Sequence, residues 1–170
     1  MLSKKMQAAL NDQIQSELYS SYLYLSMSSW FKAQNLEGFA GWLEMQAQEE
    51  MGHVMKFYGY LHDKGADVEL QALPAPQKSW KSPLAVFQDT LKHEQMVTGR
   101  INDLCALADS NNDNATRVLL NWFVEEQVEE EASAQAVIDK LKMVEGYPGG
   151  IYLIDKEMGG RTVAQDQGGN

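Results

Sequence analysis

Four long stretches of the chain carry apolar residues at helical spacing, and each stripe is broken near its middle by a polar residue. Steps of seven give Leu10, Glu17, Tyr24 and Phe31 in the first stretch, and Leu43, Glu50 and Phe57 in the second. The third gives Phe87, Glu94, Ile101 and Ala108. The fourth gives Leu120, Gln127, Ala134 and Leu141, with Phe123, Glu130 and Val137 three residues on. Residues seven apart lie nearly on one line of a helix, so each stripe is a core seam with one polar member. Glu17 and Glu50 stand 33 residues apart, and so do Glu94 and Gln127. Within each half, one helix offers a single glutamate and its partner offers a pair three apart, Glu50 with His53 or Gln127 with Glu130. One such interruption reads as a hydrogen-bonded core residue or a misjudged register. Four at matching heights are harder to read that way.

The segments around the stripes define the architecture. The first helix is expected over about residues 4–33 and the second over 37–64, with "NLEG" as a turn that admits only an antiparallel neighbour. Prolines 74, 76 and 83 mark residues 65–83 as a connection without regular structure. Its length of about 18 residues could stretch to roughly 60 Å, against about 42 Å for a 28-residue helix. It can therefore cross the whole bundle. Ser82 and Pro83 read as N-cap and first residue of the third helix, which continues through Leu107. "DSNNDN" at 109–114 is a turn, the fourth helix spans about 115–144, and a short apolar helix covers about 150–158. Residues 160–170 read as a frayed tail. The expected fold is a single all-α domain, a four-helix bundle with one long crossover between helices 2 and 3 and a short fifth helix.

Such a bundle brings Glu17, Glu50, Glu94 and Glu130 together in its interior. Burying an unpaired carboxylate is costly, and four together repel one another and raise their pKa values. Shared divalent cations remove both problems. Oxygen ligands with one imidazole and no thiolate suit iron(II), manganese(II) or zinc. Single glutamates combined with a Glu-x-x-His pair are the pattern of di-iron and di-manganese carboxylate proteins. Composition points the same way: 14 Lys plus Arg against 24 Asp plus Glu gives a net charge of −10, which repels phosphate backbones and attracts cations. Nucleic acid is not an expected partner. The single cysteine, Cys105, excludes an intrachain disulfide framework. With no continuous apolar leader and no membrane-length run, the expected location is cytoplasmic.

The stretches "ELYSSYLYLSMSSW", "AQEEMGHVMKFYGYLHDKG", "KHEQMVTGRIN", "WFVEEQVEEE" and "GGIYLIDKEM" resemble the non-haem bacterial ferritins. The resemblance runs from about residue 5 to 158. It implies a ferritin-like bundle, a shell of 24 subunits, and oxidation of Fe(II) by dioxygen or peroxide for storage as a ferric mineral. Carried over by position, Glu17, Glu50 and His53 form one iron site. Glu50 bridges to a second, completed by Glu94 and Glu130 with Gln127 beside it. A third iron site in that family uses carboxylates matching Glu49, Glu126, Glu129 and Glu130. The plain reading of "EEQVEEE" is a solvated acidic face, but glutamates four apart on a helix repel, and a cation would relieve that. Tyr24 matches a tyrosine beside the di-iron centre; on bare sequence it is a core tyrosine.

Two departures bear on function. Bacterioferritins repeat Glu-x-x-His in the second half, whereas Gln127 and Glu130 stand here, so the second iron site is expected to be looser and to exchange more readily. Met51 follows Glu50, where bacterioferritins place a haem-ligating methionine. A surface methionine is the commoner arrangement, and haem is not expected. Other readings were a haem-containing bacterioferritin-like store and a di-iron or di-manganese oxidase without storage. A metal-free module would turn Glu17, Glu50 and Glu94 toward solvent.

Overall fold

Side-chain caps begin three of the long helices. In the computed structural model, which describes residues 2–160, Ser3, Ser82 and Asp113 each accept a hydrogen bond of 3.1 Å from the backbone N–H of Met6, Ala85 and Thr116 respectively. They open α1 (Lys4–Lys32), α3 (Pro83–Ser110) and α4 (Asn114–Met143). Between them lies α2 (Glu37–Asp63), and α5 (Pro148–Met158) follows. Pro83 takes the first helical turn as expected, and α3 runs on past Leu107 to Ser110. Gly65, at φ 64°, adopts the left-handed conformation that ends α2. The described residues include no strand. The expected tail lies outside them, apart from Gly160.

The crossover traverses the full bundle. Its backbone carbonyls accept from side chains spread along α1: Asp67 from Asn11 (3.0 Å), Ala72 from Gln15 (2.9 Å) and Gln77 from Ser26 (2.6 Å). Residue numbers rise together on both segments, so the connection runs parallel to α1. It carries the chain back to the end where α1 finishes, and α3 therefore runs antiparallel to α1 and parallel to α2. Cross-helix pairs agree: Ser20 meets His93, and Gln13 meets Arg100.

Two apolar cores result, one on either side of mid-height. Tyr24, Phe31, Phe39, Leu43 and Phe87 pack in the first, and Leu10, Ile14, Phe57, Ile101, Leu120 and Phe123 in the second. The heptad interruptions fill the layer between them.

The short fifth helix docks on its own bundle. Leu36 precedes α2 and supplies no side-chain cap. Asp155, buried on α5, accepts from the backbone N–H of Phe39 at 3.0 Å instead, so a residue 116 positions away satisfies the start of α2. A Cβ on Gly38 would fall 1.7 Å from the Asp155 carbonyl oxygen, so this contact requires glycine. Helix α5 starts at Pro148, slightly earlier than expected, because proline suits its first turn.

Candidate metal centre

Each interrupting residue is buried. Glu17 and Glu94 are 1% exposed, Glu50 is 2% and Gln127 is 3%. His53 and Glu130 are also buried, so these stripes do not face solvent. One oxygen each from Glu17 and Glu50 and one ring nitrogen of His53 lie within 4.8 Å of one another. Oε2 of Glu17 is buried and accepts no hydrogen bond from an amide, hydroxyl or backbone N–H. A buried carboxylate oxygen with no N–H or hydroxyl donor, set among further acids, fits a divalent cation, and oxygen donors with one imidazole suit iron(II), manganese(II) or zinc.

The other side of the layer is tied more tightly. Tyr24 donates its hydroxyl hydrogen bond to Oε1 of Glu94, while Nε2 of Gln127 donates to Oε2 of Glu94 at 3.1 Å and to its backbone carbonyl at 3.2 Å. Both oxygens of Glu94 are thus engaged, and it belongs to neither compact group of ligand atoms. The second of these groups joins His53, Glu126 and Glu130, again within 4.8 Å. Glu49 and Glu126 are half-buried, and their charges act on Glu130. Glu129 is exposed and lies outside both groups.

Burial decides the protonation states. It raises Glu94 to about 7, with hydrogen bonds from Tyr24 and Gln127 opposing the shift. Burial also pushes Glu50 well above the usual carboxylate range, helped by the charges of Glu17 and Glu94. Glu130 moves the same way through burial and then Glu94, Glu49 and Glu126. Glu17 rises through burial, partly offset by a hydrogen bond shared with the Glu50 carboxyl, by the one from Gln13 and by the charge of Arg100. Burial and then Lys56 lower His53 to about 4, so its ring is neutral near pH 7 and can ligate a metal. Tyr24 is held protonated by burial and by Glu94 and Glu50.

Residues 7–144, which span all four long helices and this centre, match the family described as the ferritin-like domain. The chain belongs to that family. A bacterial non-heme ferritin from Bacteroides fragilis (strain 638R) is 40% identical over 161 residues, 95% of this chain and 100% of that protein. Another from Staphylococcus aureus (strain MRSA252) is 40% identical over 166 residues, 98% and 100% of the two chains. An open-pore ferritin from the hyperthermophilic archaeon Archaeoglobus fulgidus matches with a TM-score of 0.94 at 43% identity, covering 95% of this chain and 100% of that one. The resemblance and the expected ferritin-like bundle are both met.

Two polar residues in the centre escaped the heptad reading. Gln13 donates to Oε1 of Glu17 at 2.7 Å, and Gln46 donates to Oε2 of Glu130 at 2.6 Å. Each stands four residues before a glutamate of the stripe, so the two are again 33 apart. That repeat was the available signal. His93 is a third, buried with its Nε2 at 2.8 Å from the Ser20 hydroxyl.

Proposed function

We propose that the chain is an iron-storage protein with ferroxidase activity, which oxidises Fe(II) inside each bundle and keeps the product within a shell of 24 like subunits. The observation that carries this reading is the buried Glu17, Glu50 and His53 group, with one oxygen of Glu17 left unpaired. Near full-length similarity to proteins named ferritins supports it. No helix among the described residues is long and apolar enough to cross a membrane, and we place the protein in the cytoplasm.

Fe(II) is the substrate. Glu17 and His53 hold one ion, Glu50 reaches both, and Glu94 and Glu130 complete the second position with Gln127 alongside. Entry of the cations displaces the protons that burial keeps on the carboxyls. Each Fe(II) gives up one electron; dioxygen accepts two electrons and two protons and leaves as hydrogen peroxide. Holding two ions within reach of one oxidant is the protein's main contribution. The Tyr24 hydroxyl, bonded to Glu94, steadies that ligand. Glu126 and Glu130, with Glu49 and Glu129 beyond them, form a third station, from which Fe(III) passes inward and hydrolyses.

Titrating metal-free protein with Fe(II) without oxygen, then admitting air, tests this reading. Two or three tight irons per chain, fast oxidation and continued uptake are expected. Saturation at about two irons would mean a fixed di-iron enzyme, and no binding would overturn the site.

A further inference from the structure

Glu17 presents its two oxygens unequally. Oε1 accepts the Gln13 amide at 2.7 Å, whereas Oε2 is buried and no amide, hydroxyl or backbone N–H reaches it, which leaves the neighbouring Glu50 carboxyl as its company. Gln13 is itself 1% exposed, and its own oxygen accepts from Nε of Arg100 at 3.1 Å. The guanidinium is anchored in turn, since Nη2 of Arg100 donates to the Asp12 carbonyl at 2.8 Å. A guanidinium can only donate. The Gln13 amide must therefore turn its oxygen to Arg100 on α3 and its NH2 group to Glu17. Side-chain amides can rotate to exchange donor for acceptor, and here a fixed cation prevents it.

From this relay we propose that Gln13, oriented by Arg100, is a positioning residue that saturates one oxygen of Glu17 and so commits the other, Oε2, to metal. The inference rests on the reading of Glu17, Glu50 and His53 as a metal site. A neutral donor suits the task because it steadies an anionic ligand without competing for the cation's place. Partners that orient ligands from behind typically contribute about 10–100-fold to metal affinity. Arg100 makes no hydrogen bond to Glu17; it orients Gln13, and its charge also acts on the carboxylate directly.

Cobalt(II) is the probe, because its visible spectrum reports coordination number and geometry independently of iron oxidation. Metal-free wild type, Gln13→Leu, Arg100→Leu, the double variant and Glu17→Ala would each be titrated. Gln13→Leu should weaken the first cobalt site by about 10–100-fold and change its spectrum, as Glu17 becomes free to bind through both oxygens. Its helix content should stay close to wild type, while its metal-free melting temperature should fall, since Glu17 and Arg100 each lose a buried partner. Arg100→Leu should shift the spectrum in the same direction by less, and the double variant should share the Gln13→Leu spectrum. Wild-type affinity and spectrum in Gln13→Leu would overturn the proposal, and so would a further change of spectrum in the double variant. If Gln13→Leu fails to fold, Arg100→Leu decides, and an unchanged spectrum there overturns the proposal. Glu17→Ala separates the two readings. If it binds cobalt like wild type, the metal-site reading itself fails. If it loses the site while Gln13→Leu keeps it, only the relay fails.

Discussion

Glu50 lies closest to the meaning of the centre, since its carboxylate neighbours Glu17 and His53 and feels the charges of Glu94 and Glu130. Glu50→Ala should abolish the fast phase of Fe(II) oxidation, followed by near-ultraviolet absorbance after rapid mixing. Wild-type rates in that variant would remove Glu50 from the site. The same burial makes stability depend on pH. Glu94 titrates at about 7 in the folded chain and 4.5 when free, so its contribution is whole below pH 4.5 and is lost as pH rises to about 7. Glu50 and Glu130, both raised well above the usual carboxylate range, act in the same direction. His53 and His93, lowered to about 4 from 6.5, act oppositely and lose their contribution only below pH 6.5. Above pH 6.5 the carboxyls therefore dominate, and the melting temperature of the metal-free protein should fall as pH rises. Glu50→Gln, which keeps a neutral group, should make that fall shallower; a flat profile in wild type would contradict the assignment. Helical phase made most of these residues legible in the sequence. It could not reveal that Gln46 on α2 reaches Glu130, 84 positions away, because spacing gives a face and not a partner.

At the scale of the element, the junction of α2 and α5 is the instructive case. An eleven-residue helix has little stability of its own, and α5 depends on its buried Ile154, Asp155 and Met158. Asp155→Ala removes the acceptor for the Phe39 N–H and should cost about 1 kcal/mol, the usual worth of an N-terminal cap. Thermal melting would show it, together with faster proteolysis of the C-terminal segment. Gly38→Ala should be worse, since its methyl group would overlap the Asp155 backbone and force the two helices apart. Equal melting of both variants and wild type would mean that α5 does not hold the start of α2. Nothing in "NLEG" announces this contact.

For the whole molecule, docking uses only one face of α5. Tyr152 and Leu153 point outward, at 57% and 65% exposure, as does Tyr147 before the helix. Apolar side chains left outside a finished bundle fit contacts between subunits in the proposed shell. Changing Tyr152 and Leu153 together to Asp should leave a helical protein that elutes as small species, read by size-exclusion chromatography with circular dichroism. Retention of the large shell would place the subunit contacts elsewhere. The acidic run "EEQVEEE" shows how the tertiary scale sorts what sequence presents as uniform. Its helical phase turns Glu130 inward and leaves Glu126 half-buried, while Glu125 and Glu129 face out.

Sequence alone determined the helices, the cap at Ser82, and the height of the polar layer, because these depend on neighbours within a turn or two. Recurrence at 33 residues also put Glu17 and Glu50, and likewise Glu94 and Gln127, at matching heights. Tertiary structure decided that the crossover runs along α1 and that α5 returns to start α2. It also decided which amide serves which carboxylate, Gln13 to Glu17, Gln46 to Glu130 and Gln127 to Glu94. Those outcomes turn on the relative directions of whole helices. A hydrogen bond across a bundle forms only when packing has brought donor and acceptor to about 3 Å.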